Sequence, residues 1–181
     1  MFCNEGMYYS IEAMNRLIQR VLISGHEFSQ KLCVRVRSNY WSLMLGTSRK
    51  ALRVYGRITV YYPQRIKIGQ GTTLNEGVIL NGRGGISIGK NVRISSHAAI
   101  HTAALDFRAP QRAREHTHSE IVIQDGVWIG SGAIINPGVT IGRDAFIGPG
   151  SVVTRDVPES AVVAASPVRM GEYRSATEEA A

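Results

Sequence analysis

The chain has 181 residues, 44% of them hydrophobic and 19 of them glycine, which is enough for one domain with its own core and many tight turns. No apolar run approaches the roughly 18–20 residues of a membrane span, and residues 1–30 lack the ordered basic start, apolar run and cleavage site of a signal peptide. Two cysteines, Cys3 and Cys33, make no disulfide framework and fit a reducing, cytoplasmic compartment. The net charge of +7 is uneven: before Ile68 eleven Lys and Arg face three acids, and after it ten face eleven. A basic half of this kind can meet nucleic acid, anionic lipid or an anionic cofactor, but most often it is a solvated helical surface. Nothing beyond charge points to nucleic acid.

Residues 10–23 place Ile11, Met14, Leu17, Ile18, Val21 and Leu22 at helical spacing, with Ser10 as candidate N-cap and Arg16 and Arg20 on the other face. After Gly25 a second helical stretch runs to about Leu45, with Phe28, Leu32, Val36, Tyr40 and Leu43 in line. Such a stripe is more often core than membrane-binding, so residues 1–55 are expected to form two helices packed on the rest of the chain. Basic amphipathic helices here also offer a weak route to a membrane surface.

From Ile66 the apolar period becomes six. Ile68, Leu74, Leu80, Ile88, Ile94, Ile100, Ile123, Ile129, Ile135, Ile141, Ile147 and Val153 share one register. The fifth position of each hexad is small or branched, as at Thr72, Val78, Ala98, Ala104, Ala133 and Ser151. A period of six is neither a helix nor a hairpin strand; it is the repeat of a parallel β-helix, three hexads to a triangular coil. The first and fifth positions point inward, and Gly69, Gly89, Gly130, Gly142 and Gly148 are expected at corners where the chain turns tightly. No coil buries its apolar face alone, so the stack folds as a unit. Two breaks interrupt the register: a short insertion at "GRGG", and an extruded loop over residues 105–121. That loop carries Asp106, Arg108, Arg112, Arg114, Glu115, His116 and His118, a density of ionisable groups that favours function over plain disorder. In the "HTH" at its end, at most one histidine is expected to point inward.

"VWIGSGAIINPGVTIG" (Val127–Gly142) and "GPGSVVTRDVP" (Gly148–Pro158) resemble the hexapeptide-repeat O-acetyltransferases, the galactoside, maltose and polysaccharide-modifying enzymes among them. The resemblance covers about residues 60–170 and includes the positions of both breaks. It implies a left-handed parallel β-helix over residues 56–170, ahead of a tail at 171–181, assembled as a homotrimer with acetyl-CoA in a groove between subunits. The implied reaction is direct attack of a sugar or polysaccharide-precursor hydroxyl on the thioester, as in polysaccharide biosynthesis. A base must take the hydroxyl proton, donors must hold the oxyanion, and both ligands must be aligned.

Residue by residue, the coenzyme side of the resemblance matches well. Trp128 and Ser131 match positions at the thioester end, Thr154 and Arg155 the family's Thr-Lys pair, and Arg169 a basic residue suited to the nucleotide phosphates. Pro149 stands where a small residue is common, and Ala165 where the family has Gly. On the acceptor side Asn75 matches a hydroxyl-binding residue. Arg83 replaces an acid of the galactoside enzymes, which suits a phosphate, carboxylate or nucleotide-linked sugar. The family's base is a histidine followed by Asp; here that place holds Leu105, then Asp106. Losing a general base costs on the order of 10²- to 10⁴-fold. Either another group supplies it, with His101 and His116 the first candidates and Asp106 orienting one imidazole, or the chain is an impaired scaffold or regulatory subunit. His97, His101, His116 and His118 also make a zinc-dependent carbonic-anhydrase-like trimer conceivable, against the family spacing. No metal site is expected under the acetyltransferase reading.

Overall fold

The computed structural model describes residues 5–48, 52–105, 116–164 and 169–172. One helix, Glu5–Met44, replaces the two expected. Gly25 does not break it: a glycine inside a helix costs only about 1 kcal/mol, and Val21, Leu32 and Leu43 recur every eleven residues, a period of about 3.67 that keeps one side of a straight helix apolar. Ser10 therefore lies inside the helix and is not its cap. The side chains of Ile11, Met14, Leu17, Ile18 and Val21 lie outside the described residues.

The expected core stripe is also corrected. Phe28, Leu32, Val36, Tyr40 and Leu43 are exposed, Phe28 at 70% and Leu43 at 77%. A different face of the helix meets the stack, through buried Ser38, Ser42 and Leu45 and partly buried Trp41. The Ser38 hydroxyl accepts the Val54 N–H at 2.9 Å, which fixes the helix on the first strand. Leu52–Val54 has a neighbour on one side only, and the helix covers that open end, as solenoids require.

The chain then winds as a left-handed parallel β-helix of about five turns. Each turn lays one short strand on each of three faces, and equivalent strands pair in parallel with their counterparts on the next turn. The first face stacks Leu52–Val54, Thr72–Leu74, Arg93–Ile94, Trp128–Ile129, Phe146–Ile147 and Ala161–Ala164. The second stacks Thr59–Tyr61, Ile79–Asn81, Ala99–His101, Ile134–Ile135 and Val152–Val153. The third stacks Ile66–Ile68, Ile86–Ile88, Ile121–Ile123 and Thr140–Ile141. Arg169–Glu172 closes the first face as an antiparallel strand.

Every residue of the first-position register is buried, from Ile68 to Val153. Each such aliphatic side chain contributes about 1.5–3 kcal/mol on leaving water, so the register is the main source of stability. Corner glycines are explained by close approach instead of by turning. At Gly130 a Cβ would lie 2.6 Å from the Pro149 nitrogen of the next turn; only a residue without a side chain lets the turns stack there. The left-handed turn conformation falls two residues later, at Gly132 with φ 67°.

Ala104 departs from the register: it is exposed. The chain leaves the stack after Thr102, earlier than the expected start at 105, because Ala103–Leu105 pairs antiparallel with His116–His118 as a two-stranded ribbon. The part of the extruded loop that carries Asp106, Arg108, Arg112, Arg114 and Glu115 lies outside the described residues.

Candidate active site

The ribbon sets the geometry of the histidines. Its register opposes His116 to Leu105, Thr117 to Ala104 and His118 to Ala103. Directly opposed residues carry their side chains on the same face, with Cβ atoms about 4.5–5.5 Å apart. His116 thus stands beside the place where the resemblance puts a base and this chain has leucine. His118 is two residues on and shares that face. The two imidazoles lie 6.4 Å apart and within 9° of parallel. The expectation that only one could point to the site is corrected: alternation separates neighbours, not residues two apart.

The foot of the ribbon is clamped by Thr102, a fully buried residue. Its hydroxyl donates to the Asn81 carbonyl at 2.6 Å and accepts the Gly84 N–H at 2.7 Å. The "GRGG" insertion is thereby tied to the strand that feeds the ribbon. Arg83, at its tip, has its N–H near the Asn81 side-chain oxygen, 3.3 Å away, and its carbonyl accepts from the Arg65 guanidinium at 2.6 Å. Some desolvation, then the charges of Arg83, His116 and Arg65, hold the His118 pKa below the usual 6.5. A base in this position stays neutral, and able to take a proton, over a wider range of acid pH.

His101 ends its strand half-buried, in register with Asn81. No hydrogen bond or ring contact joins it to His116 among the described residues. His97 sits at a corner with φ 61° and packs against Gly77 of the previous turn, which is a structural place. Asn81 was missed in the sequence. Its signal was its position immediately before the "GRGG" insertion, where the coil must open. Asp106 and the side chain of Arg169 lie outside the described residues.

The other expected residues divide between corners. Asn75, Ser131 and Pro149 occupy the corner between the first and second faces, which also holds Ser95; the Gly150 N–H donates to the Ser131 carbonyl at 2.8 Å, which stacks the last two turns. Ser131 and Pro149 are exposed. Trp128 is 50% exposed; its indole N–H donates to the Ser95 hydroxyl at 3.1 Å, and Phe146 meets the ring edge-on at 5.0 Å. Thr154 and Arg155 are exposed at the far end of the second face, and Asp156 beside them accepts the Thr140 N–H at 2.7 Å. Between the two corners Ile134 is 37% exposed, so a long ligand touching both would cross a partly apolar strip. Asn75 and Arg83, both expected on the acceptor, stand on different corners and are not brought together. Among the described residues no group of three or more His, Cys, Asp or Glu side chains converges on a metal site, and no helix is long and apolar enough to cross a membrane.

The fold and its repeats define a hexapeptide-repeat protein. Residues 120–155 match the bacterial transferase hexapeptide family (six repeats). It is similar to a hexapeptide-repeat-containing acetyltransferase of Vibrio cholerae, solved in complex with acetyl coenzyme A, at 29% identity, with 76% of this chain and 85% of that chain covered and a TM-score of 0.59. It also shares its fold with AntD, an N-acyltransferase from Bacillus cereus solved with dTDP-4-amino-4,6-dideoxyglucose and coenzyme A, at 22% identity over 72% of this chain and 84% of that one, TM-score 0.58. No curated protein matches the chain.

Proposed function

We propose that this protein is an acetyl-CoA-dependent acyltransferase that acetylates a hydroxyl of a sugar or polysaccharide precursor. The observation that carries the reading is the register of His116 against Leu105, which supports His116 as the base that the resemblance expects and Leu105 cannot be. The acetyl-CoA complex of the similar Vibrio cholerae acetyltransferase supports the choice of co-substrate. Bound acetyl-CoA would supply the activated acyl group.

This chain's own residues do the rest. His116 takes the acceptor hydroxyl proton on an imidazole nitrogen and returns it to the departing thiolate, which leaves as the free thiol. Desolvation, then the charges of Arg83, His116 and Arg65, lower the His118 pKa, which favours its neutral form and spares His116 a second positive imidazole. Ser131 and Thr154, both exposed on the coenzyme side, are the donors toward the thioester and the pantetheine arm, and Arg155 and Arg169 the cations for phosphates. His116 and Ser131 lie on different corners of one chain, so the complete site needs two subunits; a homotrimer meets that need. Asp106 remains the proposed partner of the histidine, and His101 the reserve base.

Calorimetric titration with acetyl-CoA, followed by thiol release with a panel of sugars, tests the proposal. Saturable binding and acceptor-dependent thiol release are expected. No binding overturns the transferase reading; binding without turnover on any acceptor turns it into a scaffold.

A further inference from the structure

We propose that the crevice beside the helix seats an anionic group of the acceptor, a phosphate or carboxylate, between Arg53 and Arg93. The inference rests on the transferase reading and names the substrate class of that site.

Arg53, Thr73 and Arg93 are in register on three successive turns of the first face. Their neighbours Leu52, Leu74 and Ile94 are buried in the core, so the alternation of a strand points these three outward. Turns stack about 4.8 Å apart, which sets the two arginine backbones about 10 Å apart, a span two long side chains close on one phosphate or a diphosphate. The crevice they line measures about 590 Å³, and Tyr55, Asn75, Ser95 and Trp128 also face it. A second crevice of about 870 Å³ continues it along the helix, sharing Arg53 and Tyr55 and adding Lys31 and Arg35. Among the described residues no acidic side chain lines either one. The nearby Glu76 directs its carboxylate to the Arg57 N–H at 2.9 Å, and no ion pair engages Arg53 or Arg93 among the described residues. Among the described residues none of these four cations has a protein counterion, and four unpaired cations along two joined crevices favour an anion.

The anion belongs to the acceptor for a positional reason. The residues proposed for the coenzyme, Ser131, Pro149, Thr154 and Arg155, lie on the last two turns, whereas Arg53 and Arg93 lie on the first and third. Trp128 stands where the two sets meet, its ring held by Ser95 and half exposed to stack a sugar. An acceptor anchored by its charge in the crevice would present its hydroxyl toward the coenzyme end.

The full chain is titrated with inorganic pyrophosphate and, separately, with acetyl-CoA; the double variant Arg53→Gln/Arg93→Gln and the single variant Arg93→Glu are compared with wild type after their melting temperatures confirm folding. Both arginines are exposed, so both variants should fold. Expected are saturable pyrophosphate binding that weakens with salt, a loss of at least tenfold in both variants, and an acetyl-CoA affinity unchanged within twofold. Pyrophosphate binding that is absent, or unaffected by the substitutions, overturns the proposal. Parallel loss of acetyl-CoA affinity, or displacement of pyrophosphate by acetyl-CoA, assigns the crevice to the coenzyme's phosphates and also overturns it. Intact pyrophosphate binding with no acetyl-CoA binding at all overturns the transferase reading instead.

Discussion

Thr102→Val is the sharpest perturbation of the ribbon's foot. Valine keeps the shape and removes the hydroxyl from a site with no solvent access. The Asn81 carbonyl keeps a partner, because the Thr102 N–H still donates to it at 3.2 Å. The Gly84 N–H loses the hydroxyl it donates to at 2.7 Å. Leaving a buried donor unpaired costs about 1–3 kcal/mol, and the lost bond to Asn81 adds about 0.5–1.5 kcal/mol. A destabilisation of roughly 1.5–4.5 kcal/mol lowers the melting temperature by about 3–18 °C in a chain of this size. Thermal unfolding followed by circular dichroism reads it, with Thr102→Ser as the control that keeps the hydroxyl. Since the same two bonds tie the "GRGG" insertion to the ribbon, turnover should fall in Thr102→Val even below its melting temperature. A Thr102→Val protein that melts within about 1 °C of wild type would refute the clamp.

Three further outcomes follow from the same geometry. NMR titration of the imidazole protons should place the His118 pKa below the usual 6.5, and Arg83→Gln should raise it; an unchanged value would mean that Arg83 does not act on it. Because the folded value is lowered, the unfolded chain binds more protons between that value and 6.5, so this histidine's contribution is intact above 6.5 and is lost as the pH falls through that window. Ser151→Ala should be neutral or stabilise by about 1 kcal/mol, since the Ser151 hydroxyl is fully buried with no hydrogen-bond partner among the described residues and Ala98, Ala133 and Ala145 fill equivalent places; a clear fall in melting temperature would reveal a partner. His101→Ala should change kcat less than tenfold in the thiol-release assay, whereas a loss of a hundredfold would move the base to that residue.

The coil stack was legible because one physical constraint repeats: each turn must bury the same positions against the next, so twelve aliphatic residues fall in one register. Ala104 fits that register in sequence yet lies outside the stack, since composition at one position cannot reveal that the chain has already turned away at Thr102. The helix was misread twice. Gly25 weakens a helix too little to end it, and an apolar stripe states that a face avoids water without stating what covers it; Phe28 and Leu43 are exposed while Ser38 and Ser42 are buried. Of the candidate site, His116 was readable as a base candidate, because it lies near the end of a loop that must rejoin the coil register. The pairing register, the shared face of His116 and His118, and the approach of Arg65 to Arg83 depend on contacts between distant segments. Asn75 and Arg83 looked like one acceptor site by family matching and stand on separate corners of the triangle.

The proposed role of His116, to supply the base that Leu105 cannot, has a direct test. The direct measurement is kcat for acetyl-CoA thiol release with a working acceptor, wild type against His116→Ala, at matched acetyl-CoA saturation. A loss of about 10²- to 10⁴-fold is expected, with acetyl-CoA affinity kept and partial rescue by added imidazole. A His116→Ala enzyme that retains full kcat would contradict it.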